Sequence, residues 1–362
     1  MRAAGQEVER LAYAPRRASL EAEENKREVR RMERPAPPPP IPWDERAGER
    51  FKRAVILGDP GFGKTWLLRY EARRLALKAH AALDGQTVSP DNLMIPIFVR
   101  LSELNQSDDA IEEALVRLAA ARLQQSPRFK EPGKRLGGGR SLQAFHHFMR
   151  EKLDKEQCVV LLDGWDEIPL EQPKEGHIVY EPHRRQRLGQ RLEAFARYYP
   201  NLHILLTSRI VGYGASPIPQ AQELELLAFD EVQVESFASV WFGSDTDTAA
   251  QFLPLLRQNP QVQGLGRILL MLALMCRAYQ ERRLAFPTRR VDLYDRCLRG
   301  LLHDWRKEEK GEEEISASSV DAVLELLQKA AYSLFLEGKE QFRELDLRRK
   351  APGRLARAAS WA

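Results

Sequence analysis

Eight consecutive residues, Gly58-Asp59-Pro60-Gly61-Phe62-Gly63-Lys64-Thr65, constrain this chain more than any other stretch. They match the pattern G-x-x-x-x-G-K-[ST]. Its glycines let the backbone curl so that successive N–H groups converge, a geometry suited to a triphosphate. Lys64 would then reach the β- and γ-phosphates, and the Thr65 hydroxyl would be offered to Mg²⁺. The flanks agree. Ala54-Val55-Ile56-Leu57 is a short apolar run expected to be a buried strand, and Trp66 to Ala79, free of Gly and Pro, is expected to be a helix. A helix starting directly behind the loop brings its partial positive end under the phosphates.

A loop of this kind needs an acidic strand end beside it. Cys158-Val159-Val160-Leu161-Leu162 is a continuous apolar run that ends in Asp163. Continuous runs suit central parallel strands covered on both faces. Asp163 would hold Mg²⁺ together with Thr65, directly or through water. In Asp163-Gly164-Trp165-Asp166-Glu167, either Asp166 or Glu167 would polarise an attacking water. A further buried run, Leu202 to Leu206, leads through Thr207 and Ser208 to Arg209. In the same sheet that guanidinium would lie near the γ-phosphate and stabilise charge during phosphoryl transfer.

The remaining elements follow from periodicity and punctuation. Residues 1–34 are rich in Arg and Glu and suggest a mixed-charge helix, and Pro35 to Pro42 is a polyproline-like linker. Ile95 to Val99 is a strand whose Pro96 places it at an edge or a strand start. Helices are expected over Asp109–Ala121 and Arg187–Tyr199, a loop over Pro127–Arg140, an irregular insertion over 171–185 and a last strand over Glu223–Leu227. Beyond Phe229 the pattern becomes helical. Asp230 and Gln233 have capping-box spacing, and Val234, Phe237, Val240 and Trp241 share a face that Gly243 can end. Gly266 to Gln280 reads as one buried helix. Two further stripes, Val291, Tyr294, Leu298, Leu301, Trp305 and Val320, Val323, Leu324, Leu327, Ala331, Leu334, read as core-forming faces.

Composition narrows the function classes. With 56 basic and 52 acidic residues the net charge is +4, too balanced to argue for nucleic acid or membrane as the main partner. The nine-residue apolar run Ile268–Cys276 falls far short of the roughly 20 residues of a membrane helix. Cys158, Cys276 and Cys297 are scattered in apolar segments, as expected of buried thiols in a reducing compartment. With no apolar leader at the N-terminus, a cytoplasmic location is expected. Neither a G-x-S-x-G elbow nor zinc-ligand spacing is present, and His146-His147 reads as half-buried packing. The lack of an N-K-x-D segment tilts base preference toward adenine.

Together these segments resemble the NACHT-type NTPases of the STAND class, switch ATPases related to NOD-like immune receptors and their bacterial counterparts. GDPGFGKT is similar to the family's Walker A segment and LLDGWDEI to its Walker B, with the small residue and distal acidic pair. PIFVRLSEL, LLTSR, LELLAFDEVQVESFASVWF and RRVDLYDRCLRGLLHDW resemble the second strand, the sensor strand, the entry to a helical domain and the opening of a winged helix. The resemblance runs from about residue 52 to about 345. It implies an α/β, three-layer, ASCE-type P-loop NTPase with a five-stranded parallel sheet, followed by an all-α domain and a partial winged helix. The expected division is 1–50 for the charged and Pro-rich segment, 51–228 for the NTPase domain, 229–287 for the helical domain and 288–362 for an incomplete winged-helix region.

The resemblance also implies ATP and ADP as ligands with Mg²⁺, and slow hydrolysis. Nucleotide-controlled assembly into a homo-oligomer or with a protein partner, in signalling or defence, would follow. Two departures stand out: Gly266-Arg267 occupies the place of the family's Asn-Pro near the adenine, and the chain reaches Ala362 without the F-x-H-x-[ST]-F-Q-E segment, so a fragment, a truncated gene product or a minimal member that senses through a partner is expected. An interaction scaffold that keeps nucleotide as a structural ligand remains an alternative. A phosphoryl transferase is disfavoured because the acidic cluster points to water as acceptor.

Overall fold

The computed structural model describes residues 39–85, 89, 92–106, 109–125, 139–168, 171–174, 177–180, 183–211, 213–282, 290–310 and 317–337. The chain divides into a unit of residues 1–51 and a larger unit from Lys52 onward. In the first, a short helix α1 (Glu45–Arg50) is opened by Asp44, whose carboxylate accepts the Ala47 N–H at 2.9 Å. The expected helix over 1–34 lies outside the described residues.

In the larger unit five strands form one parallel sheet: β1 (Arg53–Leu57), β2 (Ile95–Arg100), β3 (Cys158–Asp163), β6 (His203–Ser208) and β7 (Gln222–Glu225), in the order β2-β3-β6-β1-β7. Every pairing within it is parallel. β6 therefore stands between the loop-bearing β1 and the acid-bearing β3, with Ile56 opposite Thr207 and Leu162 opposite Leu206. β2 is an edge strand, where Pro96 needs no outer partner.

Five described helices accompany the sheet in this unit: α2 (Lys64–Asp84), α3 (Leu101–Leu104), α4 (Ile111–Gln125), α5 (Gly139–Asp154) and α6 (Arg184–Tyr198). Strand side chains alternate between faces. One face, with Val55, Ile97, Val99, Val160, Leu162, Ile204 and Leu206, shares a core with Leu115, Leu153, Leu188, Leu192 and Phe195 of α4, α5 and α6. The other face carries buried Ala54, Ile56, Val159, Leu161 and Leu205, and α2 lies against β2, β3 and β6 with Leu67 and Leu68 buried. The result is three layers, helix on sheet on helix.

The segment 171–185 is not irregular. β4 (Glu171–Lys174) and β5 (His177–Tyr180) pair antiparallel, Gln172 opposite Val179, and α6 already begins at Arg184. Mutual pairing satisfies backbone groups that a polar insertion would otherwise leave to water. Gly137 and Gly138 of the expected loop lie outside the described residues, and Gly139 opens α5.

Beyond the sheet come α7 (Glu231–Phe242), α8 (Thr246–Arg257), α9 (Pro260–Gly266), α10 (Leu269–Arg282), α11 (Arg290–Lys310) and α12 (Ala317–Leu336). Asp230 and Gln233 form the expected capping box and Gly243 ends α7. The buried stripe of α7 is Val234, Ala238 and Phe242, while Val240 is 80% exposed. Phe242, Phe252 and Tyr279 form an aromatic cluster with centroids 5.4–6.3 Å apart, which turns that stripe inward.

The expected single helix from Gly266 is broken: α9 ends at Gly266 and α10 starts at Leu269. On α11 the buried residues are Leu293 and Cys297, and Val291, Tyr294 and Leu298 are exposed; the side chains of Leu301 and Trp305 lie outside the description. On α12 Ala330, not Ala331, joins Val320, Leu324 and Leu334 inside. Apolar residues ring more than one face of these helices, so period alone did not choose the inward one.

Candidate functional site

The loop after β1 is held at its entrance from two sides. The Gly58 N–H donates to the Ser208 carbonyl at 3.3 Å, and the Leu226 N–H donates to the Leu57 carbonyl at 2.8 Å, so β6 and β7 grip its entrance. Gly61 and Gly63 have φ of 83° and 95°, the left-handed region where a side chain is strained. The Phe62 N–H closes a turn on the Asp59 carbonyl at 3.3 Å, beside Pro60 on the exposed outer edge.

Gly63 is the N-cap of α2; no side chain caps that helix and its first turn has no acid. Its N-terminal N–H groups and partial positive charge are left for an external anion. Lys64 crosses back over the loop, with Nζ donating to the carbonyls of Gly58 at 2.7 Å and Asp59 at 3.1 Å. Burial pushes the Lys64 pKa down; the Asp166 carboxylate is the largest opposing influence, and Arg209 adds to the fall.

Thr65 Oγ1 lies 2.9 Å and 3.1 Å from the two oxygens of Asp163. Asp163 closes β3 and is only 5% exposed. A hydroxyl beside a carboxylate is a hard oxygen set that fits Mg²⁺, which is commonly held by one or two protein ligands plus substrate phosphates. Among the described residues no cluster of three or more His, Cys, Asp or Glu could hold a metal by itself. His146 is half-buried and His147 exposed.

Gly164, at φ 80°, turns the chain after Asp163 into a short 3₁₀ turn, Trp165–Glu167. Trp165 is buried in the main core and anchors the turn. Asp166 and Arg209 meet: Arg209 Nε lies 2.9 Å from Asp166 Oδ2, and the Arg209 backbone N–H donates to Oδ1 at 2.9 Å. Glu167 is exposed, and its carboxylate curls over Gly164, with Oε2 at 3.0 Å from where a Cβ would stand.

Sequence reasoning assigned no role to two sets of residues at this site. Thr207, fully buried, donates to Asp163 Oδ1 at 2.7 Å and accepts the Gly164 N–H at 2.9 Å. Its signals were its place in the LLTSR segment and at the end of a buried strand. The second set is the start of α10. The Leu270 N–H donates to the Gly61 carbonyl at 3.0 Å, Ile268 and Leu270 lie against Gly61, and Leu269 lies against Gly63. Arg267 is bound to Phe229 twice: its carbonyl accepts the Phe229 N–H at 2.9 Å, and its Nε donates to the Phe229 carbonyl at 2.6 Å. The resemblance placed Gly266-Arg267 near the adenine, but no sequence signal foretold that Leu269 and Leu270 rest on the loop some two hundred positions earlier.

Among the described residues no helix is long and apolar enough to cross a membrane. Comparison with curated proteins finds no match. The NACHT domain matches residues 52–245, more than half of the 362 residues. That span holds the parallel sheet, the glycine loop, the acidic turn of β3 and the arginine after β6. This chain belongs to the NACHT family of nucleotide-binding P-loop NTPases.

Proposed function

We propose that this protein binds ATP with Mg²⁺ in the Gly58–Thr65 loop, hydrolyses it slowly to ADP, and uses the two states as a conformational switch controlling assembly. The observation that carries this reading is the seating of the first turn of α10 on the loop, with the Leu270 N–H on the Gly61 carbonyl at 3.0 Å. A ligand that changes the loop then changes what the helical part can rest on.

Within this reading Gly58, Asp59, Pro60, Gly61, Phe62 and Gly63 form the cradle, and their N–H groups and those of α2 receive the phosphates. Lys64 leaves the Gly58 carbonyl for the β- and γ-phosphates. Thr65 and Asp163 hold Mg²⁺, which when bound offsets phosphate charge. Asp166 and Glu167 are the candidates for orienting water, and Arg209 stabilises charge on the γ-phosphate. Signalling or defence, a cytoplasmic location, a homo-oligomer in the ATP state and a sensing protein partner complete the reading. Their support is the likeness to switch NTPases.

The test is to identify the nucleotide that co-purifies with wild type and with Lys64→Ala, and to weigh the particle with ATP and with ADP. ADP or ATP in wild type only, with a larger particle in ATP, is expected. Equal retention by both proteins would reject the site, and a particle indifferent to nucleotide would reject the switch. The same α10 contact also suits a scaffold that keeps nucleotide as a structural ligand. Ligand at about 100 times Kd stabilises a fold by roughly 2.7 kcal/mol. Phosphate release above background counts against that alternative.

A further inference from the structure

We infer that Asp166 is a positioning residue that aims Arg209 at the terminal phosphate. This rests on the nucleotide reading above. Both oxygens of Asp166 are committed to one residue: Oδ2 to Arg209 Nε and Oδ1 to the Arg209 N–H, each at 2.9 Å. The Asp166 carbonyl accepts Arg185 Nη2 at 3.0 Å, so α6 fixes the backbone that carries the carboxylate. The Asp166 side chain is 11% exposed, against 40% for Arg209, so the acid is the inner, fixed partner and the guanidinium the outer one.

The side-chain contact is an ion pair on the Nε side of the guanidinium, and a planar guanidinium held from one side can present its outer nitrogens to a phosphate. Asp166 thereby fixes where the Arg209 charge sits.

The experiment uses the full chain and measures ATP and ADP dissociation constants and single-turnover hydrolysis. The proteins are wild type, Asp166→Asn, Arg209→Ala, the Asp166→Asn/Arg209→Ala double variant, Arg209→Lys and Glu167→Gln. Asp166→Asn and Arg209→Ala should each lower the ATP-over-ADP preference by a similar factor, about 10-fold, and the double variant should be no worse than Arg209→Ala. Arg209→Lys keeps the charge but lacks Nε and should lose the same preference. Glu167→Gln should keep the preference. Losses that multiply in the double variant, or an Asp166→Asn protein that keeps its ATP preference while losing turnover, overturn the inference. Should Asp166→Asn not fold, full ATP preference in Arg209→Lys overturns it by itself. A wild type that binds ATP without turnover still decides the positioning role through the binding cycle. A wild type that binds neither nucleotide fails the underlying reading, a result distinct from the others.

Discussion

The hydroxyl of Thr207 donates to Asp163 Oδ1 across 2.7 Å in fully buried surroundings. The Thr207 hydroxyl oxygen also accepts the Gly164 N–H at 2.9 Å, so one side chain from β6 fixes both the acid and the turn that follows it. Thr207→Val keeps the shape and removes both bonds, leaving a buried N–H unpaired. The expected cost is about 1–3 kcal/mol in urea unfolding, with weaker Mg²⁺-dependent nucleotide binding. Thr207→Ser should retain most of both; an equally damaged serine variant would show that the methyl group, not the hydroxyl, matters.

Leu269 rests against Gly63 and ties α10 to the loop. Leu269→Ala is expected to destabilise by about 1–2 kcal/mol, since the side chain is only partly buried and its loss opens a small gap. Amide hydrogen exchange of Gly61 to Thr65 should speed up by a comparable free energy. Unchanged exchange there would mean that α10 does not restrain the loop.

Gly63→Ala faces two obstacles of different size. A φ of 95° strains any L side chain by roughly 1–2 kcal/mol, whereas the nearby Leu269 Cδ2, 2.5 Å from the new Cβ, is the end of a flexible side chain that can swing aside. The expected result is loss of nucleotide retention and about 1–2 kcal/mol of stability in urea unfolding. Adding Leu269→Ala should recover little of it. Full recovery in the double variant would place the cost in crowding instead.

Burial pushes the thiols of Cys158 and Cys276 up from 9.0 to about 12 and that of Cys297 to about 11. All three are free and buried. The folded chain therefore binds their protons more tightly than the unfolded chain. This contribution to stability is complete below about pH 9 and declines as pH rises toward 11–12, because only the unfolded state releases those protons. Thiol-reagent labelling at pH 8 should be slow in the native protein and fast in denaturant. Stability that stays flat from pH 9 to 11 in urea titrations would contradict the shifts.

Much of the sheet was legible before any coordinates. Cys158–Leu162 and Leu202–Leu206 are apolar without interruption because strands covered on both faces have no solvent side, and Pro96 marked an edge or a strand start because it lacks an N–H. Gly61 and Gly63 announced a loop with positive φ. The helical region was less readable. Val240, Val291 and Ala331 fit helical stripes yet face outward, since several registers of an apolar-rich helix look alike and the neighbouring helix selects one.

By itself the chain's order of residues determined the glycine loop, the acid at the end of β3 and the arginine after β6, because each is a local match between residue type and backbone geometry. Only the tertiary structure decided that β6 stands between β1 and β3, that Thr207 holds Asp163, that Asp166 grips Arg209, and that Leu269 and Leu270 rest on the loop. Those relations join positions far apart in the chain, and which distant surfaces meet depends on the packing of the whole core, not on the residues flanking any one of them.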